Sequence, residues 1–276
     1  MASIAIGRGA DIHHQRMSAA SRLRRVLIWL GLLLLGHAAQ AACESGLAER
    51  MHARLHPNRP LDERLAACKP WPGALGRIVV VLPMPRPSSD PGAAKVYDLE
   101  VLLVQRPDNG NTERDTVIGR LFQAEALDEE AVAIQEILVD TGRYALAPDA
   151  RAFGLRVRYR GTTRGDTFAS ETLRLYVMQG GKLREVMQEV ELDNESGEWN
   201  ADCTGRFRQL RSMLSTRPNR NSAFADLVLA RTVVQSRGQM QEDGSCAEQA
   251  QPAHYGTVVL RYDGERYRVP KMLRTP

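Results

Sequence analysis

An alternation of apolar and basic residues between positions 153 and 160 is the feature that most restricts how this chain can fold. Successive side chains of a β-strand point to opposite faces, so an alternating run places one set of residues on each face. One face would carry Phe153, Leu155, Val157 and Tyr159, and the other Gly154, Arg156, Arg158 and Arg160. The pattern therefore predicts a strand with one dry face and one row of guanidinium groups.

Short apolar runs separated by turn residues continue through most of the chain. We predict strands at residues 77–83, 96–104, 116–122, 133–139, 143–147, 152–160, 171–178, 183–192, 225–234, 257–262 and 266–270. About a dozen short strands indicate an all-β fold. A β-sandwich is the expected architecture, and a small or partial β-propeller is the alternative.

Several connections between these runs carry the residues of tight turns. Glycines at positions 180, 181 and 264 favour hairpins, because glycine reaches positive φ without a Cβ clash. The acidic segment 193–198 is predicted to be a solvated turn after the preceding strand. Residues 207–220 fit either a strand or a short helix.

Residues 42–75 contain the main helical pattern of the chain. Three apolar residues recur every four positions, which places them on one face of a helix. They are Leu47, Met51 and Leu55. Prolines interrupt the pattern at 57–60, a second helical run is predicted at 61–69, and further prolines end it. We therefore predict a helical N-terminal cap on a β domain that spans residues 76–276.

Residues 1–41 have the features of an export signal. Three arginines precede an apolar run of 11 residues, Val26–Gly36, and small residues at 39 and 41 suit cleavage. At about 1.5 Å per residue this run is too short to cross a hydrocarbon layer of about 30 Å. We expect a periplasmic or secreted protein without a transmembrane span in the mature chain. Cys43 makes a lipid anchor the alternative, although Gln40 does not suit a lipoprotein signal.

All four cysteines follow the predicted leader. An even number of cysteines in an exported chain favours disulfides. Their order suggests that Cys43 pairs with Cys68, closing a helical hairpin, and that Cys203 pairs with Cys246 late in the sheet. Neither spacing matches a redox-active or zinc-binding motif.

The charge of the mature chain argues against a nucleic-acid partner. Five of the 37 basic residues and one of the 33 acidic residues lie in residues 1–41, which leaves 32 of each. Affinity for nucleic acid rests largely on neutralising phosphates with excess positive charge. The basic isoelectric point therefore belongs to the leader.

The basic row Arg156, Arg158 and Arg160 is the leading candidate for a binding site. Guanidinium groups bind carboxylates and phosphates through paired hydrogen bonds, which would suit a protein partner or an anionic component of the envelope. The alternative is an exposed sheet face. Its arginines would then pair across strands with Glu185, Glu189 and Glu191.

Residues 107–119 resemble the calcium loop of FG-GAP propeller repeats. Asn109, Asn111 and Asp115 match its oxygen ligands, and the apolar pair and glycine at 117–119 match its end. The resemblance implies a calcium site, but Pro107 replaces the first ligand, and calcium needs many oxygen ligands. The alternative is a plain hairpin loop. No nucleotide-binding motif is present, so no cofactor is expected.

Catalytic patterns are weak. His52 and His56 share one helix face, but no glutamate stands beside them to complete a metalloprotease motif, and surface histidines explain them. No G-x-S-x-G motif of a serine hydrolase occurs. Two carboxylates facing a cleft could hydrolyse glycans, with Asp140, Glu171 and Glu198 as candidates among many.

Residues 75–270 resemble exported bacterial all-β proteins to which no activity is assigned. The resemblance rests on the run from 140 to 161 and on the segments GEWNADCTG and LRYDGERYRVP. It implies a similar β fold and an envelope or extracellular location. We expect a non-catalytic binding or interaction protein. The alternatives are an extracytoplasmic glycan hydrolase and an inhibitor or immunity-type protein with one protein partner.

Overall fold

The alternating runs pair with their neighbours along the chain to form antiparallel sheets. The computed structural model describes residues 43, 46–72, 74–90, 92–107, 114–130, 132–162, 167–200 and 202–274. Helix α1 spans Leu47–Leu55, and a 3₁₀ turn spans Lys271–Leu273. The strands are β1 (Ala67–Pro70), β2 (Arg77–Pro85), β3 (Val96–Gln105), β4 (Thr116–Asp128), β5 (Val132–Ala147), β6 (Ala150–Gly161), β7 (Ala169–Gln179), β8 (Lys182–Trp199), β9 (Gly205–Arg217), β10 (Asp226–Met240), β11 (Cys246–Ala250) and β12 (His254–Leu260).

The strands form two sheets. Sheet 1 has the order β1-β2-β3-β4, and sheet 2 has the order β11-β10-β9-β8-β7-β6-β5, with β12 paired to β10 as well. Within each sheet, strands that are consecutive in the chain lie side by side, and β12 is the exception because it pairs with β10. Short connections favour this order. The all-β sandwich is confirmed. The propeller alternative is wrong, because a propeller would divide the strands into separate blades around a channel.

The apolar face of β6 lies in the core between the two sheets. Phe153 is fully buried there, stacked on Tyr176 with ring centroids 5.6 Å apart and edge-on to Trp71 at 5.7 Å. Val79, Val81 and other apolar residues of sheet 1 pack against the apolar residues of β5 and β6. The face of residues 153–160 that was predicted to be apolar is therefore the one that packs against sheet 1.

Helix α1 covers the outer face of sheet 1. Its residues Leu47 and Met51 pack on Ile78, Val80 and Leu102. Strand β2 is therefore buried on both faces, which explains its continuous apolar sequence. The disulfide between Cys43 and Cys68 joins the start of this cap to β1.

The second helical run predicted at residues 61–69 is wrong. A turn at 63–65 is followed by strand β1, whose residues 67–70 pair with residues 78–81 of β2. Backbone pairing with an existing sheet outweighs the modest helix propensity of these residues. The first disulfide consequently links the start of the cap to a strand and does not close a helical hairpin.

Strand β8 bends, and this bend creates a second apolar cluster. Three register shifts separate β8 from β7, and only residues 193–199 of β8 pair with β9. The first half of β8 therefore diverges from β9. A cluster that includes Leu175, Val190 and Leu229 fills the space between them, together with Tyr267 from the C-terminal segment.

Two further local predictions differ from the structure, and one open alternative is decided by it. Residues 193–198 continue β8 in place of a solvated turn, because each of them has a partner on β9. Residues 207–217, which were ambiguous, belong to strand β9. Residues 266–270 do not form a strand: Tyr267 makes single bridges to Met187 and Tyr262.

The predicted second disulfide is also present. It joins Cys203, between β8 and β9, to Cys246 at the start of β11. Residues 42–276 form one compact unit, and the predicted leader at 1–41 lies outside the described residues. In the part of the chain that is described, no helix has the length and apolar character needed to cross a membrane.

The sandwich core should dominate stability. We expect Phe153→Ala to lower the free energy of unfolding by about 3 to 5 kcal/mol, because it removes a fully buried ring and leaves a cavity. Phe122→Ala is the matched control, since Phe122 is 42% exposed, and it should cost about 1 kcal/mol or less. Urea unfolding followed by circular dichroism measures both. Equal losses in the two variants would contradict this assignment of the core.

Candidate functional site

Five charged side chains form one row across sheet 2. Glu136 of β5 lies directly opposite Arg158 of β6, which lies opposite Glu171 of β7. The row continues from Glu171 to Asp193 of β8 and to Arg211 of β9. Directly opposite residues of antiparallel strands point to the same face, so strand register alone brings these charges together.

A second row runs parallel to the first, two residues further along each strand. It consists of Arg160, Ala169, Glu195 and Gln209, each opposite the next. Backbone at residues 159, 170, 194 and 210 lies between the rows. The rows line a groove of about 760 Å³. At its β5 edge, Arg64 donates hydrogen bonds to the carbonyl oxygens of Ile134 and Gln135.

Arg156, the first arginine of the predicted binding row, is held by two carboxylates. Its Nε donates to Asp140 at 2.7 Å, and its Nη1 donates to Glu171. Burial alone would raise the pKa of Asp140, but hydrogen bonds from Tyr144, Arg156 and the Gly142 N–H together lower it. Arg156 is thus neutralised within the protein.

Arg158 is neutralised in the same way. Its Nε donates to Glu171 at 2.8 Å and its Nη1 donates to Glu136 at 2.9 Å. Burial would raise the pKa of Glu171, yet hydrogen bonds from Arg158 and Arg156 keep it below its usual value. Arg160 is exposed and makes no ion pair with any described residue.

Arg156 and Arg158 therefore pair with carboxylates across strands, as the alternative interpretation of this face expected. Their partners are not the predicted Glu185, Glu189 and Glu191. Glu185 and Glu189 instead flank Arg174, whose Nη2 lies 2.9 Å from Glu189. Glu191 is buried and accepts a hydrogen bond from Asn194 at 2.8 Å. Strand register, which the alternation does not specify, decides these partners.

The described lining of the groove is balanced in charge. Its lining contains the arginines 64, 158, 160 and 211 and the carboxylates 136, 171, 193 and 195. Four positive groups therefore face four negative groups. A strongly anionic ligand gains little net attraction in such a groove, whereas a polar ligand without net charge finds donors and acceptors on both sides.

Asp193 and Glu171, which lie opposite each other in the groove, have opposed pKa shifts. Burial, followed by the negative charge of Glu171, raises the pKa of Asp193, while that of Glu171 is lowered. Opposed pKa values are typical of an acid and base pair in catalysis. Both oxygens of Glu171, however, accept hydrogen bonds from arginines, so this carboxylate is not free to attack or to deprotonate water.

The same face continues toward an aromatic pair. Trp199 and Phe207 lie 4.7 Å apart by ring centroid, and Trp199 is 40% exposed. They line a cavity of about 370 Å³ that shares Glu195 with the groove. An exposed indole thus stands at one end of the charge-paired surface.

Asp115, one of the predicted calcium ligands, is not available to bind a cation. This carboxylate has no exposed side-chain surface and accepts hydrogen bonds from Arg106 and Arg50. Two guanidinium groups leave it unsuited to a cation. Asn109 and Asn111 lie outside the described residues. Across the residues with described positions, no three His, Cys, Asp or Glu side chains gather as metal ligands.

The remaining catalytic candidates do not meet in a site. His56 is not a surface histidine, because its Nε2 lies 2.8 Å from the buried Glu100. Glu198 is exposed near the end of β8, whereas Asp140 is bound to Arg156.

Several residues of the groove were not predicted from the sequence. Arg64, Glu136, Asp193 and Arg211 belong to separate segments of ordinary polar composition. Strand pairing places Glu136, Asp193 and Arg211 together, and Arg64 reaches them from the turn before β1. No local motif marks that register.

Comparisons with protein-family models, with curated proteins and with solved structures give no match to this chain. The groove must therefore be interpreted from its own geometry.

The Arg156 network should control acid stability. Arg156→Met leaves Asp140 and Glu171 without a shared cation, so it should lower the free energy of unfolding at neutral pH by about 3 kcal/mol. The folded-state pKa values of both carboxyls lie below their usual 3.8 and 4.5, so their stabilisation is present above these values and is lost as the pH falls through the lowered ones.

The variant should therefore lose stability less steeply than the wild type in acid below about pH 5. Urea titrations at several pH values measure this slope. Arg160→Met is the control, because this exposed arginine has no ion pair in the described structure, and its effect should be within about 0.5 kcal/mol. Parallel acid slopes for Arg156→Met and the wild type would disprove the network's role.

Proposed function

We propose that this chain is an exported, non-catalytic binding protein of the bacterial envelope, and that the groove across β5–β9 binds its ligand. The observation that carries the proposal is the charge-paired groove of about 760 Å³. Its size lies within the usual range of ligand sites, about 300 to 1,000 Å³. Ion pairs hold Arg158 and Glu171 in place, so the polar groups are ordered before a ligand arrives.

An uncharged oligosaccharide is the ligand class that this groove fits best. Hydroxyl groups both donate and accept hydrogen bonds, which matches alternating guanidinium and carboxylate groups. The exposed indole of Trp199 adds an apolar surface at one end. The core of a protein–protein interface is usually depleted of charge, so a groove with eight charged side chains suits a protein partner less well.

The two disulfides support an oxidising compartment, as does the predicted leader. We propose the periplasm or the extracellular space. The sulfur of Cys43 is bonded to Cys68, so it has no free valence for the thioether of a lipid anchor. The resemblance to exported bacterial β proteins agrees with this location.

Hydrolysis of the same ligand class is the second candidate function. Asp193, with its raised pKa, would act as the acid opposite the ionised Glu171 on the neighbouring strand. The arginines on Glu171 favour binding over catalysis, and the two functions separate in one experiment.

Neutral oligosaccharides of glucose and of N-acetylglucosamine provide the test. Titration of the disulfide-intact protein, followed by tryptophan fluorescence and calorimetry, should show binding, and no new reducing ends should form. Trp199→Ala should weaken binding at least about tenfold. Tyr255→Ala is the control, because this residue is 81% exposed outside the groove.

Asp193→Asn separates the two candidates. A binding protein produces no cleavage in either form, and the variant changes affinity alone. If the wild type releases reducing ends and Asp193→Asn does not while still binding, the chain is a hydrolase. Failure of every oligosaccharide to bind would overturn the proposed ligand class.

A further inference from the structure

Three arginines lie close together on the ribbon formed by β9 and β10, on the face opposite the groove. Arg206 of β9 is directly opposite Arg237 of β10, and Arg208 lies two residues from Arg206 on the same face. Arg206 and Arg237 are exposed, and Arg208 is half-buried. Directly opposite residues on antiparallel strands have their Cβ atoms about 5 Å apart, so this face brings like charges close together.

Arg206 and Arg237 are not neutralised within the described structure, whereas the positive charge of Arg208 acts on the buried Glu191 and opposes the rise that burial causes in the pKa of that carboxyl. Neither Arg206 nor Arg237 has a hydrogen bond or an ion pair in the part of the chain that is described, and the Nη1 of Arg208 donates only to the amide oxygen of Asn194, at 3.4 Å. Glu198 is the register partner of Arg206 on β8, yet the two make no ion pair. This is the opposite of the groove side, where carboxylates hold Arg158.

The three guanidinium groups surround a shallow cavity of about 350 Å³. The other lining residues are Ser196, Gly197, Phe207, Gln235, Ser236 and Gln251, so no Asp or Glu side chain with a described position lines the cavity. Like charges directly opposite on neighbouring strands destabilise a sheet. The Arg206–Arg237 pair keeps this repulsion without a carboxylate bound to either guanidinium group in the described structure, so it is suited to an anion from outside.

The second disulfide holds this arginine site in shape. It joins Cys203, next to the start of β9, to Cys246, which pairs with Met240 at the end of β10. The Gly205–Gly238 pair lies one residue beyond the Arg206–Arg237 pair. The covalent link therefore fixes the ends of both strands beside the arginines. Because the backbone is already ordered there, binding a ligand costs less conformational entropy.

We infer that the Arg206–Arg208–Arg237 face binds an oxyanion, specifically a phosphate group, either free or as the headgroup of an anionic lipid. Planar guanidinium forks match phosphate oxygens through paired, charge-assisted hydrogen bonds. Arg206 and Arg237 lie on the face of β9 and β10 opposite the groove, and they line neither the groove nor the cavity beside Trp199. Their site therefore does not depend on the function proposed for the groove.

The test uses the disulfide-intact protein at low ionic strength, where charge attraction is least screened. Phosphate and pyrophosphate are titrated by calorimetry and phosphorus NMR, and vesicles of phosphatidylcholine with and without anionic phospholipid are tested by co-sedimentation. Binding of the soluble anions without binding of vesicles identifies free phosphate as the ligand. Binding to anionic vesicles and not to neutral ones identifies a headgroup.

The decisive variant is Arg206→Gln/Arg237→Gln. It should weaken binding of whichever probe the wild type binds by at least about tenfold, a change of about 1.4 kcal/mol. It should also unfold at the same or a higher temperature than the wild type, because it removes a like-charge pair. A loss of binding would then not reflect misfolding. Oligosaccharide binding in the groove should be unchanged.

Arg160→Gln/Arg211→Gln is the matched control, with the same change of charge on the opposite face of sheet 2. It should retain phosphate binding within about twofold. If both double variants lose phosphate affinity equally, net charge alone explains the loss, and the proposed site is wrong. Absence of binding to both the soluble anions and the anionic vesicles would overturn it as well.

Discussion

The pairing of β8 with both of its neighbours is the constraint on which sheet 2 depends. Its first half pairs with β7, and residues 193–199 pair with β9. Extra residues in β8 at the three register shifts bend the strand, as β-bulges do. The bend lets one sheet cover the sandwich core with its first strands and extend β9 and β10 as a largely exposed ribbon. Both candidate sites include residues of β8 and β9, whose course this bend sets.

Most of the strands could be predicted from the sequence, because their alternation is strong and local. Phe153 and its alternate neighbours identified the buried face of β6, and β2 was recognised by its unbroken apolar run. The errors lie where tertiary pairing outweighs local preference. The second half of β8 is too polar to look like a strand, and residues 67–70 are strand only because β2 offers them an edge.

The candidate site was predictable only in part, and the reason is register. The sequence showed that Arg156, Arg158 and Arg160 share a face, but the charges opposite them come from strands whose alignment no local pattern specifies. A shift of two residues would have brought other side chains opposite Arg158. The arginines at 206 and 208 alternate just as those on β6 do, but Arg208 lies in the segment 207–220, which fitted both helix and strand, and Arg206 lies just before it. Their common face was therefore not visible.

The two faces of sheet 2 show how one backbone can hold opposite electrostatic environments. Strand register gives Arg158 two carboxylates, whereas it gives Arg206 a second arginine and a glutamate that does not reach it. At the exposed end of the ribbon, the strands are linked by backbone pairing, by the Cys203–Cys246 disulfide and by the contact between the rings of Trp199 and Phe207. Surface charge can therefore change there with little cost to the cores around Phe153 and Leu175, which leaves the ribbon free to be selected for binding.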